Sequence, residues 1–198
     1  MSKPLLICTV GLPRSGKSTW TKQQRLPIVN RDAVRLALHG QRFLAEAEDM
    51  VAAMTKYMAK ALFLGGNQTV IVDECNVSEK RRELWLSDKW DTVFQYFDTP
   101  VEECERRAIA TGQEDLIPVI NRMAEGLDWY SMTDEVNDLI CDNQEHGTQT
   151  TELALPLNRF IQLAWEMEQI EQKPWFTKIC AMGEVEYHGV KIKLQEEL

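Results

Sequence analysis

Leu5-Leu6-Ile7-Cys8-Thr9-Val10 runs directly into Gly11-Leu12-Pro13-Arg14-Ser15-Gly16-Lys17-Ser18-Thr19. The first six residues, mostly apolar and partly β-branched, read as a strand covered on both faces. The next nine match a phosphate-binding P-loop, a glycine-rich turn that leads from a strand into a helix. Gly11 and Gly16 let the backbone turn so that successive N–H groups face inward as an anion nest. The helix that opens near Gly16 adds the positive end of its dipole. Lys17 is expected to meet the β- and γ-phosphates of ATP, and the Ser18 hydroxyl to ligate Mg²⁺. Pro13 stiffens the loop, Ser15 belongs to it, and Thr19 either touches the α-phosphate or supports the first helical turn. Arg14 faces bound phosphate or solvent, with nothing in the sequence to choose between them.

Working outward, apolar runs alternate with helical patterns, as in an α/β domain with a parallel sheet. Strands are expected at Leu5–Val10, Pro27–Asn30, Thr69–Asp73, Thr92–Phe97 and Val136–Cys141. Together they make a three-layer P-loop NTPase fold, α/β, with a mainly parallel five-stranded sheet and helices on both faces. Helices are expected from Gly16 to about Gln24, Asp32 to Leu38, Phe43 to Leu64, Glu79 to Ser87, Val101 to Ala110, and Pro118 towards Trp129. On the long third helix, Phe43, Leu44, Ala47, Met50, Val51, Met54, Met58, Ala61 and Leu62 form one apolar stripe, read as core packing. Residues 142–151 read as a linker. A helix from Leu157 to Ile170 and a hairpin turning at His188-Gly189 complete a small C-terminal appendage. The expected division is therefore 1–150 for the main domain, with a lid at about 101–128, and 151–198 for the appendage.

The chain has 198 residues and a net charge of −9. Residues 1–40 hold seven basic residues against Asp32 alone, a local charge of +6, which leaves −15 on the rest. A basic end around the P-loop suits a polyanionic donor, whereas the acidic remainder disfavours broad gripping of a long duplex. No apolar stretch reaches membrane-spanning length, and a cytoplasmic location is expected. The five cysteines, an odd number without a C-x-x-C pair, read as reduced and mostly buried thiols with no metal site. His39, His146 and His188 are isolated.

A second motif carries the chemistry beyond nucleotide binding. Val29-Asn30-Arg31-Asp32-Ala33-Val34-Arg35 places Asp32 and Arg35 three apart at the start of a helix, at the carboxyl end of a strand. A carboxylate there can take a proton from a hydroxyl, and an arginine one turn later can fork onto a phosphate. The alternative reading is a helix cap at Asp32 with a solvent-facing Arg35.

The pair Gly11–Thr19 and Asn30-Arg31-Asp32-x-x-Arg35 resembles the 5′-kinase domain of bacteriophage polynucleotide kinase and its wider P-loop kinase family. Val70-Ile71-Val72-Asp73-Glu74-Cys75-Asn76, Ser78-Glu79-Lys80-Arg81-Arg82, Phe97-Asp98-Thr99-Pro100 and Ile117-Pro118-Val119-Ile120-Asn121-Arg122-Met123 follow in matching order, so the resemblance covers about residues 4–143. It implies Asp32 as general base, Arg35 as clamp on the acceptor's phosphate, and Asp73 near Mg²⁺ or orienting Arg35. It also implies Arg107 as a lid arginine, with Arg106 and Arg122 as weaker candidates. The implied acceptor is the 5′ end of single-stranded DNA or RNA, or else a small-molecule hydroxyl such as a nucleoside, sugar or antibiotic. A nucleotide-gated interaction ATPase and a homo-oligomeric state are further readings. The family's second lid arginine is replaced by Thr111, and the lid helix carries Glu102, Glu103 and Glu105. No Asp-x-Asp phosphatase motif occurs.

Overall fold

The mostly apolar run Leu5–Val10 forms β1, one of the two inner strands of a parallel sheet that has four strands among the described residues. The structure is a computed structural model and describes residues 3–127, 132–145, 150–172 and 176–195. With β2 (Ile28–Asn30), β3 (Thr69–Asp73) and β4 (Asp91–Tyr96), the sheet order is β2-β3-β1-β4. Leu5 to Cys8 pair with Thr69 to Val72 on one side, and Leu5 to Val10 with Asp91 to Tyr96 on the other. This register brings the carboxyl ends of β1, β2 and β3 level, the edge at which open parallel sheets bind ligands.

Helices α1 (Lys17–Gln23), α2 (Arg31–His39) and α3 (Glu48–Leu64) follow the first two strands, with a short 3₁₀ turn at Ala45–Ala47 leading into α3. Leu6, Cys8, Val29, Val70 and Val72 pack with Ala59 of α3 and with Trp85 and Trp90. The alternating Ile7, Ile71 and Val93 are equally buried on the other face, as in a sheet covered on both sides. Each such side chain contributes about 1.5–3 kcal/mol when fully buried. Trp90 donates its indole N–H to the Trp85 carbonyl at 2.9 Å, which satisfies the one polar atom this ring brings into the core. Then come α4 (Glu79–Glu83), α5 (Val101–Ala110) and α6 (Ile117–Glu125). Cys104 and Ala108 of α5 pack with Ile120 of α6 and with Leu12 of the P-loop, which ties the lid segment to the loop.

The sheet has four strands where five were expected. Val136–Cys141 lies within a helix, α7 (Met132–Glu145). Met132, Val136 and Ile140 are buried at a spacing of four, and Asn137 and Asp138 interrupt the run with residues poorly suited to strands. The chain forms two compact units, 1–128 and 129–198.

The second unit adds β5 (Glu152–Leu155), α8 (Leu157–Glu171), α9 (Phe176–Met182), β6 (Glu184–Tyr187) and β7 (Val190–Leu194). Its sheet runs β5-β7-β6, with β5 parallel and β6 antiparallel to β7. The hairpin turns at His188 (φ 48°) and Gly189 (φ 77°), two positive values as in a type I′ turn. The strand β5 and the helix α9 were not anticipated. The linker expected over 142–151 overlaps α7 up to Glu145, and residues 146–149 lie outside the described residues. Trp165 meets Phe176 edge-on at 5.8 Å within this unit; Trp129 and Trp175 are outside the described residues.

Two further expectations are corrected. The Met-rich stripe of α3 is not core: Val51, Thr55 and Ala59 are buried, whereas Met50, Met54 and Met58 are 48%, 38% and 41% exposed and Phe43 is 63% exposed. The sheet presses on α3 along the face of small and β-branched residues, which lets the helix approach closely and turns the methionines outward. The cysteines are not mostly buried: Cys8 and Cys104 are, Cys75 is partly exposed, and Cys141 and Cys180 are exposed.

Candidate active site

The loop between β1 and α1 is shaped by contacts that leave no room for side chains. Gly11 has φ 151°, and a Cβ there would lie 2.9 Å from Ser15 Oγ and 3.0 Å from the Phe97 carbonyl oxygen. Gly16, at φ 103°, caps α1 without any side-chain hydrogen bond, and the first turn of α1 has no acidic residue. Two ties hold the loop in place. The Gly11 N–H donates to the Cys75 carbonyl at 2.9 Å, and Thr99 Oγ1 donates to the Ser15 carbonyl at 2.9 Å. The Lys17 ammonium is buried and rests on the loop's own carbonyls, 2.9 Å from Gly11 O and 2.6 Å from Leu12 O.

An open cleft of about 670 Å³ lies over this loop, lined among others by Arg14, Lys17, Ser18, Thr19, Arg107 and Thr111. Trp20 and Phe97 form one wall, edge to face at 5.7 Å. The features fit a nucleoside triphosphate. The helix start is uncapped, Arg14 Nε is buried without a protein partner, and the wall offers apolar ring surface. Ser18 is exposed at the cleft, in position for the hydroxyl ligand that Mg²⁺ takes beside phosphate oxygens. Among the described residues no cluster of three His, Cys, Asp or Glu could hold a metal ion by itself.

Asp32, Arg35 and Asp73 are not part of the lining of this cleft. Asp73 ends β3, and Asp32 and Arg35 lie in the first turns of α2, after β2, which β3 separates from β1. Thr9 Oγ1 donates to the Glu74 carbonyl at 2.7 Å, and Asn76 Nδ2 donates to the Thr9 carbonyl at 3.1 Å, so the end of β3 is stitched to β1. Burial pushes the Cys75 thiol up from its ordinary range; Lys17 pulls it back, and Asp32, Glu74 and Asp73 push it further up. One thiol thus feels both the P-loop lysine and the acidic groups at the ends of β2 and β3.

The cap of α2 is Asn30, whose Oδ1 accepts from the Ala33 N–H at 2.8 Å. Asp32 is therefore not the cap, and its side chain is 77% exposed, with Oδ1 accepting from Arg35. Arg35 is held on its other side by Glu48 at the start of α3. Its Nε and Nη2 donate to the two carboxylate oxygens at 2.7 and 2.8 Å. Glu48 also accepts from Arg31 at 3.0 Å, and Arg31 reaches the buried Glu74 at 3.5 Å. The Arg35 hydrogen bonds, together with the Arg31 charge, hold the Glu48 carboxyl below its usual range, while burial raises that of Glu74 against the pull of Arg31. Asp73 is buried and accepts from Asn30 Nδ2 at 2.8 Å, so its observed partner is the α2 cap and not Arg35.

In the lid segment, Arg107 Nη1 donates to the Arg14 carbonyl at 3.1 Å, and its Nε donates to Glu103 at 2.7 Å. Arg106 forks onto the same Glu103, and hydrogen bonds from the two arginines bring that carboxyl down to about 2. Arg106 points to solvent, Arg122 is exposed, and neither lines the cleft. Thr111 lines it, with its hydroxyl donating back to the Arg107 carbonyl at 2.8 Å. Sequence reasoning missed Glu48 and Glu74, which lie far from Arg31 and Arg35 along the chain. Glu103 was available as an i, i+4 partner of Arg107.

The family described as AAA domain matches residues 6–118, which spans the P-loop, the Asp32–Arg35 segment, β3 and the lid helix. Among solved structures, the Pnkp1/Rnl/Hen1 RNA repair complex contains a chain that is 25% identical over 65% of this chain and 48% of that one, at a TM-score of 0.51. A second structure of the Pnkp1/Rnl/Hen1 complex gives 31% identity over 54% of this chain and 40% of that one, at a TM-score of 0.49. A structure described as a putative kinase from Chloroflexus aurantiacus gives 18% identity over 58% and 71%, at 0.44. The chain thus spans under half the length of the repair-complex chains it matches. With its P-loop at the end of β1 and that family covering more than half of its residues, the chain belongs to the AAA-domain family of P-loop NTPases.

Proposed function

We propose that this protein is an ATP-dependent kinase that transfers the γ-phosphoryl group to the 5′-hydroxyl of a polynucleotide. The observation that carries this reading is the Asp32–Arg35 pair. An exposed carboxylate and an arginine gripped by Glu48 lie just after β2, at the same edge of the sheet as the P-loop, while Arg107 reaches the loop from the lid. The likeness to a chain of an RNA repair complex supports a nucleic-acid acceptor.

The acceptor oxygen attacks the γ-phosphorus in line, and the bond from that phosphorus to the β-phosphate oxygen breaks, leaving ADP. The Asp32 carboxylate takes the proton of the attacking hydroxyl. Arg35 holds the acceptor's neighbouring phosphate. Lys17 leaves the loop carbonyls to meet the β- and γ-phosphates, and Arg107 neutralises charge on the transferring group. Ser18, with the nucleotide phosphates and with Asp73 as the nearby carboxylate, would hold Mg²⁺, which would supply further charge neutralisation.

A small-molecule acceptor is the second reading, favoured by the neutral Thr111 in the cleft and by the acidic lid helix. The test offers labelled ATP to 5′-hydroxyl oligonucleotides and to a panel of nucleosides, sugars and aminoglycosides. Label is expected on the oligonucleotide, with Asp32→Ala abolishing transfer while ATP still binds. Label on a small molecule alone would move the proposal to the second reading, and full activity in Asp32→Ala would remove the base.

A further inference from the structure

The outward face of α3 has a pattern that the site does not use. Met50, Met54, Tyr57, Ala61 and Leu64 recur at spacings of four, three, four and three, the period of a coiled-coil seam. They lie opposite the buried Val51, Thr55 and Ala59. Tyr57 is 67% and Leu64 80% exposed, and Ala53, Met58 and Ala61 extend the same apolar strip. Leu84 and Leu86 add exposed apolar surface alongside, where Lys56 Nζ donates to the Leu84 carbonyl at 2.8 Å. From these exposures the strip amounts to roughly 600 Å², at the upper limit of what a monomer ordinarily shows. Two such faces together bury about 1,200 Å², the lower bound of a stable protein–protein interface.

We propose that this face is a homodimer interface, in which α3 of one copy packs antiparallel against α3 of a second copy about a two-fold axis. The charges on the flank of the strip select the occupant and the direction. Asp49 lies at the N-terminal end and Lys60 towards the C-terminal end, on the same side of the seam. Antiparallel pairing sets Met54 against Tyr57 of the second copy and Met50 against its Ala61. Asp49 then falls within reach of the second copy's Lys60, and symmetry repeats the pair. Parallel pairing would place the Asp49 and Lys60 side chains of the two copies on opposite flanks of the seam, where this pair cannot form. A seam of small and flexible residues around a central tyrosine is self-complementary in this one direction.

Sedimentation equilibrium of the full chain tests the assignment. The wild type is expected to dimerise with a measurable dissociation constant. Tyr57→Glu, at an exposed position, is expected to be monomeric with an unchanged circular-dichroism spectrum and a melting temperature that no longer depends on protein concentration. Asp49→Lys and Lys60→Asp are each expected to weaken the dimer by about tenfold, since each replaces two attractive pairs with repulsive ones, and the double swap is expected to restore it. A wild type that is monomeric throughout, a dimer that survives Tyr57→Glu, or a double swap no tighter than the single ones would each overturn the proposal.

Discussion

Replacing Glu48 by Gln tests whether Arg35 is held for work or merely parked. Glu48 takes three hydrogen bonds from two guanidinium groups, at 2.7 and 2.8 Å from Arg35 and 3.0 Å from Arg31. A carboxamide of the same size keeps one acceptor oxygen, presents N–H groups to donors, and removes the carboxylate shared by two guanidinium groups, which then rely on Glu74 and Asp32 alone. The side chains are 9–17% exposed, so screening by solvent is limited. Breaking a pair of this kind costs about 3–5 kcal/mol, and the partial exposure places this one near 3 kcal/mol. The expected fall in melting temperature is roughly 6–12 °C at about 2–4 °C per kcal/mol. The functional effect is expected to be selective. Arg35 keeps its bond to Asp32 but loses its fork, so KM for the acceptor rises by about tenfold, equivalent to about 1.4 kcal/mol, while ATP affinity stays unchanged because the P-loop is not involved. Thermal unfolding, calorimetric ATP titration and steady-state kinetics with a 5′-hydroxyl oligonucleotide read these three quantities. A Glu48→Gln protein with wild-type stability and wild-type acceptor KM would refute the role given to this carboxylate.

Arg107→Ala is expected to lower kcat by about a thousandfold, the low end of what a transition-state arginine supplies, with ATP binding nearly intact in a calorimetric titration; a loss confined to ATP affinity would reassign it to ground-state binding. The acid limb of stability is expected to report Glu48. Its carboxyl is held below the ordinary 4.5 in the folded protein, so its contribution is complete above that pH and is lost as pH falls through the lowered value. Denaturant titrations below pH 4.5 are expected to show a steeper loss in the wild type than in Glu48→Gln, and equal slopes would contradict the assignment.

What the sequence made legible follows from how local each signal is. The P-loop, the Asp32–Arg35 spacing and the i, i+4 pair of Glu103 and Arg107 are short-range patterns, and the structure places each on the element expected of it. Glu48 binds Arg35 across 13 residues and Glu74 meets Arg31 across 43, and no periodicity announces such partners. The fifth strand failed because Val136 and Ile140 have strand-forming side chains but sit four apart on a buried helical face. The α3 stripe failed differently. Its apolar residues cover more than half of the helix circumference, so composition could not say which side meets the sheet, and the small Ala59 and the β-branched Val51 and Thr55 won that contact.

The acidic lid bears on the acceptor less than its residue count suggests. Glu102, Glu103 and Glu105 stand on α5, and in sequence they argue against a polyanion. In the structure Glu103 is engaged by both Arg106 and Arg107, so that group of three carries a net positive charge, and Glu105 accepts from Asn121. The same device appears at Glu48 with Arg31 and Arg35, again two guanidinium groups around one carboxylate. An arginine that is free in solution loses about 1.5–2 kcal/mol of rotamer freedom when it is fixed on a ligand. One already fixed by a carboxylate behind it has lost that freedom on folding and presents its remaining N–H groups at a set angle. On the lid this leaves a positive charge on a chain of net charge −9, whereas at the end of β2 Arg31 and Arg35 are balanced by Glu48, Asp32 and Glu74, so what they offer there is fixed N–H groups and not excess charge. The overall acidity of the chain is therefore compatible with a short polynucleotide end entering the site, because local pairing and not net charge sets the field that the phosphates meet.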